Sequence, residues 1–315
     1  MTDKTTKLLD VTLRDGGLTN DFFFDDAFVR ALYRTNLRAG VDYMELGYRA
    51  SMRMFRREDF GKWKFCAEED ILAVLGGDAG KKIKFSVMAD AGRCDYKKDI
   101  RPRADSPIAL VRVACYYEQL REALDMVEDI KNKGYEASCN LMAVSALNKT
   151  ELTQAVIDMA SSPVDMIYIV DSFGALLPTD IARLVALFLE YAVHQGKTVG
   201  MHAHDNLSNA LANTLLARAA GACCLDAAYG GMGRGAGSCD MAALLGSLSY
   251  PHEALREAIA FSDECVLPLK REGAQWGADP AYALTALMNR HPRDAIAYRR
   301  AGRNDITCFF DELTK

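Results

Sequence analysis

Two histidines one residue apart, His202 and His204, close an apolar β-type run in Thr198-Val-Gly-Met-His-Ala-His-Asp-Asn206. Side chains at i and i+2 of a strand leave the same face, so both imidazoles point the same way and are able to share one metal ion. The chain has only five histidines in 315 residues, which makes this pairing informative. A second apolar run near the start, Leu8-Leu-Asp-Val-Thr-Leu-Arg-Asp-Gly-Gly17, ends in Arg14 and Asp15. One carboxylate and two imidazoles form a three-ligand set for a divalent cation that leaves positions open for substrate. Taken singly, the histidines also read as polar strand-edge residues, and Arg14 with Asp15 as a salt bridge.

These residues need a scaffold that brings distant segments to one face. Short β-type runs at 8–13, 41–47, 83–88, 108–113, 135–141, 164–170, 198–203 and 223–228 alternate with helical patterns, the signature of parallel βα units. Residues 25–39 read as a helix with Asp25 and Asp26 in its first turn and Gly40 past its end; 117–133, 180–195 and 206–220 stop at Gly134, Gly196 and Gly221. The stretch 92–107 is polar, holds Pro102 and Pro107, and predicts an irregular connection. Eight units in about 250 residues predict an α/β fold of the closed (β/α)8 type, a TIM barrel, with its active site at the carboxyl ends of the strands. Asp15 after the first strand and His202 and His204 at the seventh obey that rule. An open doubly wound sheet would carry a G-x-G-x-x-G turn, which Arg-Asp-Gly-Gly is not. The barrel accounts for residues 1–252, and 253–315, broken at Pro268, Pro280 and Pro292, predict a small helical appendage.

Half of the residues are hydrophobic, enough for a large core, and a net charge of −5 argues against a nucleic acid partner. Nine cysteines without a C-x-x-C spacing suggest a reducing compartment and no structural zinc. The polar N-terminus is no signal peptide, and the apolar stretch from Ile181 to Val193 is interrupted by Arg183 and Glu190. The expectation is a soluble, cytoplasmic protein that does not enter the membrane.

Thr-Leu-Arg-Asp-Gly at 12–16 and His-Ala-His at 202–204 resemble the motifs of the TIM-barrel metallolyases that share an Arg-Asp element after the first strand, the DRE-TIM superfamily. The likeness extends to Asp171-Ser-Phe-Gly174, to His202-Ala-His-Asp-Asn-Leu-Ser208 and to Gly230-Gly-Met-Gly-Arg-Gly-Ala-Gly237, and is greatest for the 4-hydroxy-2-oxovalerate aldolase branch. The resemblance implies that Asp15, His202 and His204 ligate Mn2+ or Mg2+, that Arg14 polarises a substrate keto oxygen, and that Ser172, next to Asp171, helps hold a 2-oxo acid carboxylate. It implies a class II aldolase that joins or splits a pyruvate-type 2-oxo acid and an aldehyde, with the metal and Arg14 taking up the negative charge of the carbanion.

Departures from the pattern bear on the acid or base. Gly17 stands where the condensing synthases carry a glutamate, and Leu18 where the aldolase branch carries a catalytic histidine; Ser238 aligns with an asparagine near the metal. Tyr282 and His291, in the appendage, are candidates to replace the missing group. Glu45 is placed to orient Arg14 from the second strand. Arg49 directly follows that strand as an anion-binding candidate, whereas Arg53, Arg56 and Arg57 read as a solvated run. Other readings are an acyl-CoA-dependent 2-oxo acid condensing synthase, a non-haem iron oxygenase, and a noncatalytic partner subunit of an acylating aldehyde dehydrogenase. In the aldolase branch the appendage docks such a dehydrogenase in some members; a homo-oligomer is the other assembly considered.

Overall fold

Eight strands, all parallel and hydrogen-bonded in sequence order with β1 returning to β8, close into a barrel in this computed structural model, which describes residues 6–77 and 79–315. The strands are β1 (Lys7–Asp10), β2 (Tyr43–Tyr48), β3 (Lys84–Asp90), β4 (Ile108–Cys115), β5 (Glu136–Leu141), β6 (Met166–Asp171), β7 (Thr198–Ala203) and β8 (Cys224–Ala227). The first helices are α1 (Thr12–Gly16), α2 (Asp26–Ala39), α3 (Glu68–Leu75) and α4 (Tyr96–Asp99). The barrel continues through α5 (Leu120–Asn132), α6 (Lys149–Ser161), α7 (Pro178–Ala192), α8 (Ala210–Ala219), α9 (Met241–Ser247) and α10 (His252–Phe261). Beyond it lie α11 (Leu267–Arg271), α12 (Pro280–Leu287), α13 (Arg293–Arg300) and α14 (Ile306–Leu313). Residues 1–5 of the polar N-terminal stretch are outside the described residues.

Each strand is buried on both faces, which is why it reads as an apolar run rather than an alternation. One apolar cluster fills the space between strands and helices; a smaller one, with Leu9, Val11, Leu110, Tyr168 and Val170, fills the barrel. Asp25 caps α2 by accepting from the Phe28 amide at 2.6 Å. Between β3 and β4 the expected barrel helix is replaced by short α4 and a 3-10 turn at Arg103–Asp105, in keeping with the polar, proline-bearing sequence.

Several boundaries shift from expectation, and two of the shifts follow from side-chain hydrogen bonds. β1 stops at Asp10, because that carboxylate accepts from the Thr12 amide (2.9 Å), the Thr12 hydroxyl (2.5 Å) and Asn36 Nδ2 (2.7 Å), turning the chain into α1. Helix α8 begins at Ala210 rather than 206, where Asp205 Oδ1 accepts the Ala210 amide at 2.9 Å. The core also runs on past residue 252. Ala254, Ala258 and Phe261 of α10 join the barrel cluster, Phe261 lying 5.3 Å from Phe28 of α2 between ring centres. A separate cluster of Ala281, Tyr282, Ala295, Tyr298, Phe309 and Leu313 meets the barrel's glycine-rich loop at Ala236. Among the described residues no helix is long and apolar enough to cross a membrane.

Candidate metal centre and active site

The turn after β1 presents Arg14 and Asp15 at the carboxyl ends of the strands. Both are buried, and Arg14 Nη1 donates to Asp15 Oδ1 at 2.9 Å. A side chain at Gly17 has no room: its Cβ would lie 2.6 Å from the Leu13 carbonyl and 2.2 Å from the ring of Phe22. The glutamate of the condensing synthases therefore has no space at this position.

His202 is the penultimate residue of β7 and His204 follows the strand's end at Ala203, bridged to Ser238 of the loop after β8. That loop closes over the strand ends through the Asp205 amide, which donates to the Gly237 carbonyl at 2.8 Å. Its Gly233 passes so close to the site that a Cβ there would sit 2.2 Å from Asp15 Oδ2. Ser238 Oγ donates to the same oxygen at 2.5 Å.

One ligand atom each from Asp15, His202 and His204 lies within 4.8 Å of the others, and all three residues are buried. Neither ring nitrogen of His202 completes a hydrogen bond, although Nδ1 lies 3.1 Å from Asp226 Oδ2. Leaving buried polar atoms without partners is costly, so an unpartnered imidazole beside a carboxylate and a second imidazole fits a divalent cation. His204 Nδ1 lies 3.2 Å from the Gly237 carbonyl, which takes its proton and leaves on Nε2 a lone pair that Arg234 Nη2 faces at 3.1 Å and that a bound cation would take over. Burial pushes the His204 imidazole well below its usual value against the pull of Asp15, keeping it neutral as a ligand must be. Burial works to raise the Asp15 carboxyl, but His204, Arg14, His202 and the Ser238 hydroxyl hold it well below the usual carboxylate range.

Beneath these ligands runs a chain of buried charges. Glu45 Oε2 accepts from Arg14 Nε and Arg112 Nη1, each at 2.8 Å, and Arg112 Nη2 donates to Asp226 Oδ2 at 2.6 Å. Arg112 lies over the Tyr168 ring, 4.4 Å from its centre. Arg14 Nη2 has no hydrogen-bond partner and lies 3.8 Å from Asp226 Oδ2. Burial works to lower the Arg14 guanidinium, but Glu45 and Asp15 outweigh it and keep the group charged.

The site opens into a cavity of about 480 Å3 that Arg14, Asp15, Ser172, His202, His204 and His291 help to line. Ser172 Oγ accepts the Ala143 amide at 2.9 Å, leaving its hydroxyl proton free to donate. Asp171 does not line the cavity; it accepts from the Ala175 (2.9 Å) and Leu176 (3.2 Å) amides and so shapes the turn after β6. Arg49 is turned away as well, paired with Glu68 and not lining the cavity, because α3 offers it a buried carboxylate. Arg53, Arg56 and Arg57 pair with Asp95, Asp59 and Asp70 at the surface. Tyr282 packs in the appendage cluster, its helical spacing serving that core rather than the cavity. His291 reaches the cavity and contacts Arg234 Nη1 at 2.9 Å.

Sequence reasoning missed four charged residues. Arg112 and Asp226 interrupt buried strands, and a charge inside such a run was the available signal. Arg234 was hidden within the glycine-rich stretch; its Nη2 reaches the Ser172 carbonyl at 2.8 Å and His204 Nε2 at 3.1 Å. Lys64 lines the cavity inside a cage of aromatic rings, its Nζ lying 4.5 Å from the centre of Phe55, 4.7 Å from Tyr48, 5.0 Å from Phe22 and 5.4 Å from Phe60. Burial lowers its pKa, opposed in part by Asp90. Phe22 is the ring that fills the space at Gly17.

Comparison with known proteins matches residues 5–250 to the family model described as HMGL-like. A 4-hydroxy-2-oxovalerate aldolase from Moorella thermoacetica is 32% identical over 248 residues, 79% of this chain and 71% of the relative. An oxaloacetate decarboxylase from Mycobacterium tuberculosis is 28% identical over 241 residues, 76% of this chain and 69% of the relative. Among solved structures, the N-terminal domain of a putative aldolase from Bacteroides vulgatus superposes with a TM-score of 0.77 at 26% identity, covering 93% of this chain and 96% of that one.

Proposed function

This chain belongs to the HMGL-like family, and from that premise we propose that it is a divalent-metal-dependent aldolase, a carbon–carbon lyase acting beside the carbonyl of a pyruvate-type 2-oxo acid. The observation that carries this reading is the convergence of buried Asp15, His202 and His204 with Arg14 at the mouth of the barrel. Two imidazoles and a carboxylate with open positions suit a divalent cation, and the resemblance to the aldolase branch implies Mn2+ or Mg2+. When bound, the cation supplies Lewis-acid stabilisation of the negative charge that develops on the substrate.

Arg14 lines the cavity and polarises the substrate keto oxygen, while Glu45 fixes the guanidinium plane from behind. Ser172 donates its free hydroxyl proton to the substrate carboxylate. Lys64 carries the proton at the alcohol oxygen of the bond being broken or made. Its desolvated amine releases a proton more readily than a surface lysine, and Leu18 and Gly17 offer no alternative. The similarity to an oxaloacetate decarboxylase supports a site that stabilises the same charge whether an aldehyde or carbon dioxide departs.

Protein reloaded with Mn2+ is expected to exchange the methyl protons of pyruvate or a related 2-oxo acid with D2O, followed by proton NMR. Absence of exchange across a panel of 2-oxo acids rules the reading out.

A further inference from the structure

Three arginines converge on the wall of the cavity formed by His291: Arg93 after β3, Arg234 from the loop after β8, and Arg293 at the start of α13. They differ from Arg14, Arg49 and Arg112, each of which is tied to a buried carboxylate. Among the described residues, Arg93, Arg234 and Arg293 form no ion pair, although Asp90 and Glu118 line the same cavity.

His291 makes the lack of an acceptor concrete. Its Nδ1 accepts the Arg293 amide at 3.0 Å and its Nε2 faces Arg234 Nη1 at 2.9 Å. An imidazole in any protonation state offers at most one lone pair, so two donors face a ring able to satisfy only one. The Arg234 guanidinium thus has an N–H group without a matched acceptor inside the cavity. Burial, reinforced by Arg234, Arg293 and Arg93, pushes the His291 pKa down to about 3, so the ring adds no charge of its own.

Unpaired guanidinium groups gathered on one wall are a receptor for a planar or tetrahedral oxyanion. The 2-oxo acid carboxylate is assigned to Ser172 and the metal site, and the cavity of about 480 Å3 extends well beyond them. Resting on the aldolase reading above, we infer that the substrate carries a second anionic group, a carboxylate or phosphate on the His291 side of the cavity, and that Arg93 and Arg293 bind it beside the Nη1 edge of Arg234, whose Nη2 is held at the metal end by Ser172 and His204. The appendage, which supplies Arg293 and His291, is then a specificity element for the acceptor half of the substrate.

Titration calorimetry on the Mn2+-loaded protein tests this with 2-oxo acids of matched length ending in methyl, carboxylate or phosphate. Anion-ended probes are expected to bind about tenfold or more tightly than their methyl-ended counterparts, from one or more charge-assisted hydrogen bonds. The better of the carboxylate and phosphate series identifies the tail. The Arg93→Met/Arg293→Met double variant, altered at exposed positions and checked by thermal melting, is expected to lose that advantage. Equal binding of methyl-ended probes, or an advantage that survives in the double variant, overturns the inference. Tail preference without pyruvate proton exchange sinks the aldolase reading and leaves the anion site standing; exchange without tail preference does the reverse.

Discussion

Arg14 and Arg112 meet on a single oxygen, Glu45 Oε2, each donating at 2.8 Å to a fully buried carboxylate. Removing that charge leaves two guanidinium groups confronting each other out of water. Glu45→Gln is expected to cost about 3–5 kcal/mol of stability. Denaturant unfolding checks it, and a loss below about 1 kcal/mol, the scale of an exposed pair, contradicts the picture.

Gly233 leaves the space in which Asp15 and Ser238 meet, since a Cβ would lie 2.2 Å from Asp15 Oδ2 and 2.8 Å from Ser238 Oγ. Gly233→Ala is expected to weaken Mn2+ binding by about 10–100-fold through displacement of the carboxylate. Gly77→Ala, where a Cβ meets nothing within 4 Å, is the control and should bind as wild type. Calorimetric Mn2+ affinities that match in the two variants would show that the loop does not constrain the ligand.

The barrel was legible in the sequence because strands buried on both faces stay apolar throughout, and helices that end at glycine separate them cleanly. The ligands were legible because each stands where such a run stops. What was not legible depends on partners far away in the chain. Arg49 was read toward the substrate, yet Glu68 holds it; Ser238 was aligned only with an asparagine near the metal, and its hydroxyl donates to Asp15 Oδ2. Tyr282 carries helical spacing that does not say which neighbour it faces, and it faces the appendage. Arg112 stands out locally as a charge inside an apolar run, but its partners Glu45 and Asp226 lie across the barrel, 67 and 114 residues away, so no local pattern names them.

Lys64 sits among four aromatic rings with no carboxylate in hydrogen-bond contact among the described residues. Lys64→Met keeps the apolar fill and removes the proton carrier. Turnover of a cleavable 4-hydroxy-2-oxo acid is expected to fall about 10²–10⁴-fold in kcat. Lys64→Arg, which keeps the charge, should not restore it, because a guanidinium does not give up its proton. A kcat within a few-fold of wild type in either variant contradicts the role.

Burial pushes the Asp171 carboxyl up to about 7, offset only in part by the Ala175, Leu176 and Gly174 amides. The folded chain therefore holds this proton at pH values where the unfolded chain, with a pKa near 3.8, has released it. The stabilisation is whole below the unfolded pKa and is lost as pH rises through about 7. In metal-free protein, Tm should fall more steeply between pH 5 and pH 8 (roughly the span of that titration) in wild type than in Asp171→Asn, which cannot ionise. Parallel profiles would place the titration elsewhere.

Metal stoichiometry by elemental mass spectrometry, after chelator stripping and reloading with Mn2+, decides whether Asp15, His202 and His204 act together. Wild type should hold about one equivalent per chain, as three converging ligands imply, and the Asp15→Asn and His202→Ala variants almost none while remaining folded. A wild-type protein that emerges empty, or variants that keep the full equivalent, would contradict the assignment of the barrel mouth as a metal centre.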